Sequence, residues 1–128
     1  MKLLLDTHVF LWWIDDDKRL SLPARKAITS SANAAFLSVA SAWELAVKIR
    51  LGKLKLKDNM ETFIPDQLQR NAIIILPINL SHAMRLHHLP LHHRDPFDRM
   101  LVVQAQIEGM TLVTADPFVR LYDVPTLW

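Results

Sequence analysis

The stretch Leu3-Leu4-Leu5-Asp6-Thr7-His8 decides the fold, because three apolar residues in a row are followed directly by an acid and a hydroxyl. A short apolar run without alternation is typical of a strand that is covered on both faces, as in parallel sheets. The run Leu112-Val113-Thr114 repeats this pattern and is followed by Asp116. Both acids are therefore predicted just past the carboxyl ends of buried strands, where open parallel sheets bind their ligands.

Four short apolar runs, at residues 2–5, 34–39, 73–76 and 111–114, are separated by segments long enough for helices. Strands that alternate with helices predict right-handed crossovers and a parallel sheet with helices on its faces. The fold class is thus predicted to be α/β. The predicted helices cover Thr7 to Ile14, a segment beginning near Pro23, about Ser41 to Leu51, Asn59 to Arg70, Ser81 to Leu89, and Pro96 to Glu108 before Gly109.

The totals agree with one domain over residues 1–128, since 51% of the residues are hydrophobic and no flexible linker interrupts the chain. The net charge of +2 is too small to indicate a polyanion partner by itself. The absence of cysteine excludes disulfides and thiolate ligands. Asp6 and His8 interrupt any signal-peptide core, and no run approaches the ~20 apolar residues of a membrane span. We expect a cytoplasmic protein without membrane contact.

Two further acids, Glu44 and Asp98, lie on predicted helices, and each has a competing structural explanation. Ser41 and Glu44 match a capping box, and Glu44 could also pair with Lys48 one turn later. Asp95 before Pro96 is a good helix N-cap, and Asp98 suits the first turn. Asp98 differs from Asp95 because it shares a helical stripe with apolar residues that face the sheet, namely Leu101, Val102 and Ala105.

Four acids from different elements on one edge of one sheet form a rarer pattern than one capped helix. Two unit charges about 4 Å apart repel by ~4 kcal/mol at an effective dielectric constant of 20. Either a cation lies among such acids or some of them are protonated. A site of oxygen ligands without cysteine favours Mg²⁺ or Mn²⁺ over zinc. The candidate ligands are Asp6, Glu44, Asp98 and Asp116.

At these residues the chain resembles the PIN-domain nucleases, in particular the VapC-type toxins of toxin–antitoxin pairs. The resemblance covers nearly the whole chain, and its ordered set of motifs is more specific than any single motif. The motifs are Leu5-Asp6-Thr7-His8-Val9-Phe10-Leu11-Trp12-Trp13, Ser38-Val39-Ala40-Ser41-Ala42-Trp43-Glu44-Leu45-Ala46-Val47-Lys48, Arg94-Asp95-Pro96-Phe97-Asp98-Arg99-Met100-Leu101-Val102-Val103-Gln104-Ala105 and Leu112-Val113-Thr114-Ala115-Asp116.

This resemblance implies a PIN-like fold with a parallel sheet of four to five short strands flanked by helices. It also implies that the four acids bind one or two Mg²⁺ or Mn²⁺ ions in an endoribonuclease that hydrolyses RNA. Thr114 resembles the hydroxyl residue that steadies such a site, and Thr7 is expected to do similar work. Asp95 is ranked behind Asp98 as a ligand. The implied partners are RNA, an antitoxin protein and a second copy of the chain in a homodimer.

Several basic residues are weaker candidates. Arg94 and Arg99 flank the acidic centre and could hold phosphates, although Arg99 fits a solvated helix position equally well. Lys48 begins a basic stretch that ends at Lys57, which is either a solvent face or a track for the RNA backbone. The histidine-rich stretch from His87 to His93 favours surface or RNA contact over a dedicated metal site, because Pro90 breaks its helical spacing.

Two other classes of protein compete with the nuclease. A receiver-like signalling domain also carries acids at strand ends, but it needs paired acids after the first strand and a lysine after a later one. Asp6-Thr7-His8 and Thr114-Ala115-Asp116 supply neither. The stronger alternative is a non-catalytic PIN-like module that binds RNA or protein. Acids at all four positions count against that module.

Overall fold

A computed structural model describes all residues from Met1 to Trp128. Its centre is one sheet of five parallel strands in the order β3-β2-β1-β4-β5. The strands are β1 (Lys2–Leu5), β2 (Ala34–Ser38), β3 (Ile73–Leu76), β4 (Thr111–Val113) and β5 (Thr126–Leu127). The predicted α/β class is confirmed, and β5 is the one strand that the apolar runs do not mark.

Six α-helices connect or follow the strands. They are α1 (Thr7–Ile14), α2 (Leu22–Thr29), α3 (Val39–Arg50), α4 (Met60–Arg70), α5 (Leu80–Arg85) and α6 (Pro96–Glu108). Short 3₁₀ turns cover Leu86–His88 and Val119–Leu121. No helix is both long enough and apolar enough to cross a lipid bilayer.

Two apolar cores lie on opposite faces of the sheet, because successive side chains of a strand point to opposite sides. Leu4 of β1 joins the core beneath α6, together with Leu101 and Leu112. Leu3 and Leu5 join the other core, beneath α1, α2 and α4. A sheet that is covered on both faces explains why its strands carry continuous apolar runs.

The start of α3 differs from the prediction. Ser38, not Ser41, is the N-cap, and its side-chain oxygen accepts a hydrogen bond from the backbone N–H of Ala40 at 2.9 Å. The helix therefore begins at Val39, and the capping box of Ser41 and Glu44 does not form. This shift frees the Glu44 side chain from the helix end and buries it, with 5% of the residue exposed.

Two other helix ends depend on local chemistry. The predicted helix from Ser81 to Leu89 is wrong in extent, because α5 ends at Arg85 and a 3₁₀ turn follows before Pro90. The end of α6 agrees with the prediction. Gly109 adopts a left-handed conformation with φ of 65°, which glycine tolerates better than residues with a Cβ.

Candidate active site

Strand register brings three polar residues to one edge of the sheet. Leu5 of β1 pairs with Leu37 of β2 and with Val113 of β4. The residues that follow these three in the chain are Asp6, Ser38 and Thr114, and each is buried. Asp6 is also tied to the neighbouring strand, since its backbone N–H donates to the carbonyl of Val113 at 3.1 Å.

Asp6 caps α1 and faces the site at the same time. Its Oδ1 accepts a hydrogen bond from the backbone N–H of Val9 at 2.8 Å, so the alternative capping role is real. Burial raises the pKa of the Asp6 carboxyl, and the hydroxyl of Thr114 and the amide of Val9 oppose that rise by hydrogen bonding to it. One acid thus serves both the fold and the site.

Glu44 lies on α3 with both carboxylate oxygens occupied. Oε1 accepts from the Thr7 hydroxyl at 2.6 Å, and Oε2 is 2.9 Å from Nζ of Lys48. Thr7 Oγ1 also lies 3.0 Å from the hydroxyl oxygen of Ser41. The predicted pair of Glu44 and Lys48 is therefore present, and it lies at the wall of the site.

Asp98 lies on α6, half-buried, and its helix start is fixed by Asp95. The Asp95 carboxylate accepts from the backbone N–H groups of Phe97 and Asp98 at 2.9 and 3.1 Å. Burial raises the pKa of Asp98 to about 8, and repulsion from Asp95 and then from Asp116 adds to the rise. Asp98 is therefore a carboxyl whose ionised form is disfavoured first by burial and then by the acids around it.

Asp116 follows β4 in a tight turn. Its backbone N–H donates to Thr114 Oγ1 at 3.1 Å, and its Oδ1 accepts from the backbone N–H of Phe118 at 2.8 Å. Thr114 is fully buried, so its hydroxyl lies between Asp6 and the Asp116 turn. This position agrees with the steadying role that the resemblance implies for Thr114.

All five acids line one open cavity of about 640 Å³. Lys48 and Arg19 line it as well, together with His8, Trp12 and Phe97. The tightest group of possible metal ligands joins two of these acids, Asp98 and Asp116, to His93, which does not itself line the cavity. One ligand atom from each of the three lies within 4.8 Å of the others. The acids of β1 and α3 are outside this tightest group, although they face the same space.

His93 is a site residue that the sequence did not indicate. Its Nε2 lies 3.4 Å from Asp98 Oδ2, and its Nδ1 lies 2.9 Å from the hydroxyl of Tyr122. The ring stacks on Phe118 with an angle of 7° between the planes. The only sequence signal was the position of His93 directly before Arg94 and Asp95, at the end of a histidine-rich stretch for which we predicted surface or RNA contact.

The two predicted arginines differ in their surroundings. Arg99 Nη1 donates to the carbonyl of Pro90 at 2.7 Å and to the Tyr122 hydroxyl at 3.0 Å, and Nη2 donates to the carbonyl of Leu89 at 3.2 Å. Arg99 therefore holds the loop before α6, and its side chain is partly buried rather than free in solvent. Arg94 is exposed and is not among the residues that line the acidic cavity.

Comparison with known proteins decides the family. A family model for the PIN domain matches residues 3–124. The chain belongs to the PIN domain family. The sequence resemblance to VapC-type proteins is confirmed by two relatives from Mycobacterium tuberculosis. Ribonuclease VapC22 is 28% identical over 133 residues, which cover 98% of this chain and 97% of that protein. Ribonuclease VapC16 is 35% identical over 63 residues, which cover 49% of this chain but only 43% of that protein.

Solved structures show the same PIN fold. VapBC2 from Rickettsia felis, bound to a DNA fragment from its promoter, superposes with a TM-score of 0.72 at 16% identity and covers 98% of this chain and 97% of that chain. VapBC-1 from nontypeable Haemophilus influenzae superposes with a TM-score of 0.64 at 17% identity, covering 98% and 96%. At such identities the likeness concerns the fold of this PIN domain.

Proposed function

We propose that this PIN domain is a metal-dependent endoribonuclease that hydrolyses phosphodiester bonds in RNA as the toxin of a cytoplasmic toxin–antitoxin pair. One observation carries the proposal: the Asp98 carboxyl lies in an open cavity whose wall carries four other acids, and its pKa is raised to about 8. The names of the two relatives, both ribonucleases, support the choice of RNA.

The residues of the cavity fit a divalent cation. Their donor set consists of carboxylate oxygens, which Mg²⁺ and Mn²⁺ prefer. Burial and then repulsion between acids raise the pKa of Asp98, and a bound cation would offset that repulsion. We propose Asp6 and Asp98 as the main ligands of one or two ions, with Asp116 and Glu44 completing the site. The Asp95 carboxylate already accepts hydrogen bonds as the N-cap of α6, so it would support the site without binding the ion directly.

A bound divalent cation in such a site polarises a phosphoryl oxygen and lowers the pKa of an attacking water. The chain's own residues fix the geometry of the reaction. Thr7 and Lys48 hold Glu44 in one orientation, and Thr114 holds Asp6. Lys48 also lines the cavity with its positive charge, so it is placed to bind a phosphate of the substrate.

The expected protein partners follow from the solved relatives. Both are described as VapBC assemblies, and one is bound to promoter DNA. We propose by analogy that this chain pairs with an antitoxin protein. The homodimer stays a prediction, to be measured by light scattering at several protein concentrations.

The test is cleavage of a single-stranded RNA by purified protein with Mg²⁺ or Mn²⁺, and with a chelator. We expect cleavage only with metal, and loss of cleavage in folded Asp6→Asn and Asp98→Asn proteins. Asp123→Asn is the matched control, because Asp123 is exposed and does not line the cavity. A wild-type protein that binds RNA but never cleaves it would favour the non-catalytic module.

A further inference from the structure

A second cavity, of about 350 Å³, adjoins the acidic cavity. Three residues line both cavities, namely His8, Trp12 and Arg19, so the two cavities share a wall. The second cavity leads away from the acids, between α1 and the segment before α4. We call it the side groove.

Arg19 is fixed at the junction of the two cavities. Its Nε and Nη2 atoms donate to the two carboxylate oxygens of Asp17 at 3.1 and 2.7 Å. Its Cζ lies 5.3 Å from the centroid of the Trp12 ring. The Arg19 side chain is nevertheless 69% exposed. The guanidinium plane is thus held along one edge and supported on one side, while much of it stays open to solvent.

Asp17 changes what Arg19 can offer to a ligand. A bidentate carboxylate offsets the charge of the guanidinium and occupies its donors on one edge. The feature that remains available is the flat, preorganised surface over Trp12. Flat guanidinium and aromatic surfaces are the elements on which proteins stack unpaired nucleic-acid bases.

The opposite wall of the side groove carries free positive charge. Leu54 and Leu56 pack against the core beneath α1 and α4, so the alternating residues Lys55 and Lys57 project outward and are exposed. Both lysines line the side groove, and neither forms a salt bridge. Asp15 is the only acid among the lining residues. Ammonium groups along a groove that adjoins the candidate cleavage site suit phosphates.

We propose that the side groove binds a nucleotide of single-stranded RNA adjacent to the scissile phosphate. Its base stacks on the guanidinium of Arg19, and Lys55 and Lys57 contact the phosphates. This inference rests on the proposed ribonuclease function and names the form of RNA that fits the site. A base inside a duplex is already stacked and cannot reach such a surface.

The first test separates stacking from charge. Fluorescence anisotropy would measure binding of a labelled single-stranded RNA to the Asp6→Asn protein, which we expect to bind without cleaving. Arg19→Lys keeps the positive charge and removes the planar group, and it should weaken binding roughly tenfold. Arg25→Lys is the matched control, because Arg25 pairs with Asp16 and lines neither cavity. Equal affinities for all three proteins would overturn the stacking surface.

An abasic scan of the RNA provides an independent check on Arg19. Removing the base that stacks on Arg19 should weaken binding of the RNA to the protein that carries Arg19. With that abasic RNA, Arg19→Lys should cause no further loss of affinity. With the base removed at any other position, Arg19→Lys should still weaken binding. A penalty that persists at every abasic position would show that Arg19 does not stack on a base.

The salt dependence tests the lysines. Lys55→Ser and Lys57→Ser should each lower the slope of log affinity against log salt by about 0.7, the value for one single-strand phosphate contact. Lys53→Ser is the control from the same segment, since Lys53 does not line the side groove. Unchanged slopes for Lys55→Ser and Lys57→Ser would overturn the lysine contacts with RNA. If these variants lost binding to a protein partner and kept their affinity for RNA, the side groove would be a protein-binding surface.

These results remain distinct from the test of the nuclease itself. A wild-type protein that cleaves RNA with Mg²⁺ while the Arg19 and lysine variants bind like the wild type refutes the side groove only. A wild-type protein that never cleaves, but shows binding that depends on Arg19, refutes the nuclease only. A wild-type protein that does not bind single-stranded RNA refutes the side groove directly.

Discussion

Thr7 Oγ1 donates a hydrogen bond of 2.6 Å to Oε1 of Glu44 and thereby joins the first turn of α1 to α3. The two residues are separated by 37 positions in the chain, and both are buried. The second oxygen of Glu44 is paired with Lys48. The two contacts together allow this carboxylate to remain buried next to the candidate site.

Thr7→Val should destabilise the protein by about 1–3 kcal/mol, since it keeps the side-chain shape and leaves a buried carboxylate oxygen without its donor. Urea unfolding measures the loss. Thr7→Ser is the control, because it restores the hydroxyl and should recover most of the stability. Equal stability of the Val variant and the wild type would show that water replaces the hydroxyl fully.

The stability of the metal-free protein should fall as the pH rises from about 4 to about 8. The pKa of Asp98 is about 8 in the folded protein against an ordinary value of 3.8, so the folded state holds a proton that the unfolded state releases. Stability decreases with pH wherever the folded state binds more protons. The raised pKa of Asp6 acts in the same direction.

Asp98→Asn should remove most of this dependence and, without metal, should stabilise the protein at pH 8 by on the order of a few kcal/mol. Thermal unfolding in a chelator at several pH values measures both effects. Asp123→Asn should keep the dependence of the wild type. A metal-free wild type whose stability is flat between pH 4 and 8 contradicts the raised pKa of Asp98.

Divalent cations should raise the melting temperature of the wild type, and more at pH 8 than at pH 5, because the ligands must be deprotonated to bind them. At a hundredfold excess over its dissociation constant a ligand adds about 2.7 kcal/mol of stability. The rise should be smaller in Asp98→Asn. Equal stabilisation of both proteins by Mg²⁺ or Mn²⁺ argues against Asp98 as a ligand.

The sequence predicted the sheet edge well because the strands leave a strong local signal. Apolar runs without alternation mark β1 and β4, and the next residues, Asp6 and Thr114, must then lie at one edge. β5 left no such signal, since it has only two residues, one of them a threonine, and both are only partly buried. This strand forms by pairing with β4, and no local sequence pattern indicates that pairing.

The side chains of the site were harder to predict than its strands. The position of Glu44 depends on which serine caps α3, and Ser38 and Ser41 are equally good caps as residue types. His93 was missed because its role depends on Tyr122, which lies 29 positions later and contacts it only in the folded chain. Contacts between distant positions require the tertiary structure, and one sequence does not contain their register.

The hydroxyl of Tyr122 should fix the tautomer of His93. Its oxygen accepts from Arg99 Nη1 at 3.0 Å and from the backbone N–H of His93 at 3.4 Å. Both acceptor positions are then filled, so the hydroxyl proton donates to Nδ1 of His93, 2.9 Å away. The neutral ring must carry its proton on Nε2, which faces Asp98 at 3.4 Å.

In Tyr122→Phe the preference of His93 for the tautomer with its proton on Nε2 should weaken, with a loss of about 1 kcal/mol in stability. Nitrogen-15 chemical shifts of the ring at about pH 8 distinguish the tautomers. A wild-type protein with the proton on Nδ1 would refute this arrangement, since His93 could then no longer donate to Asp98.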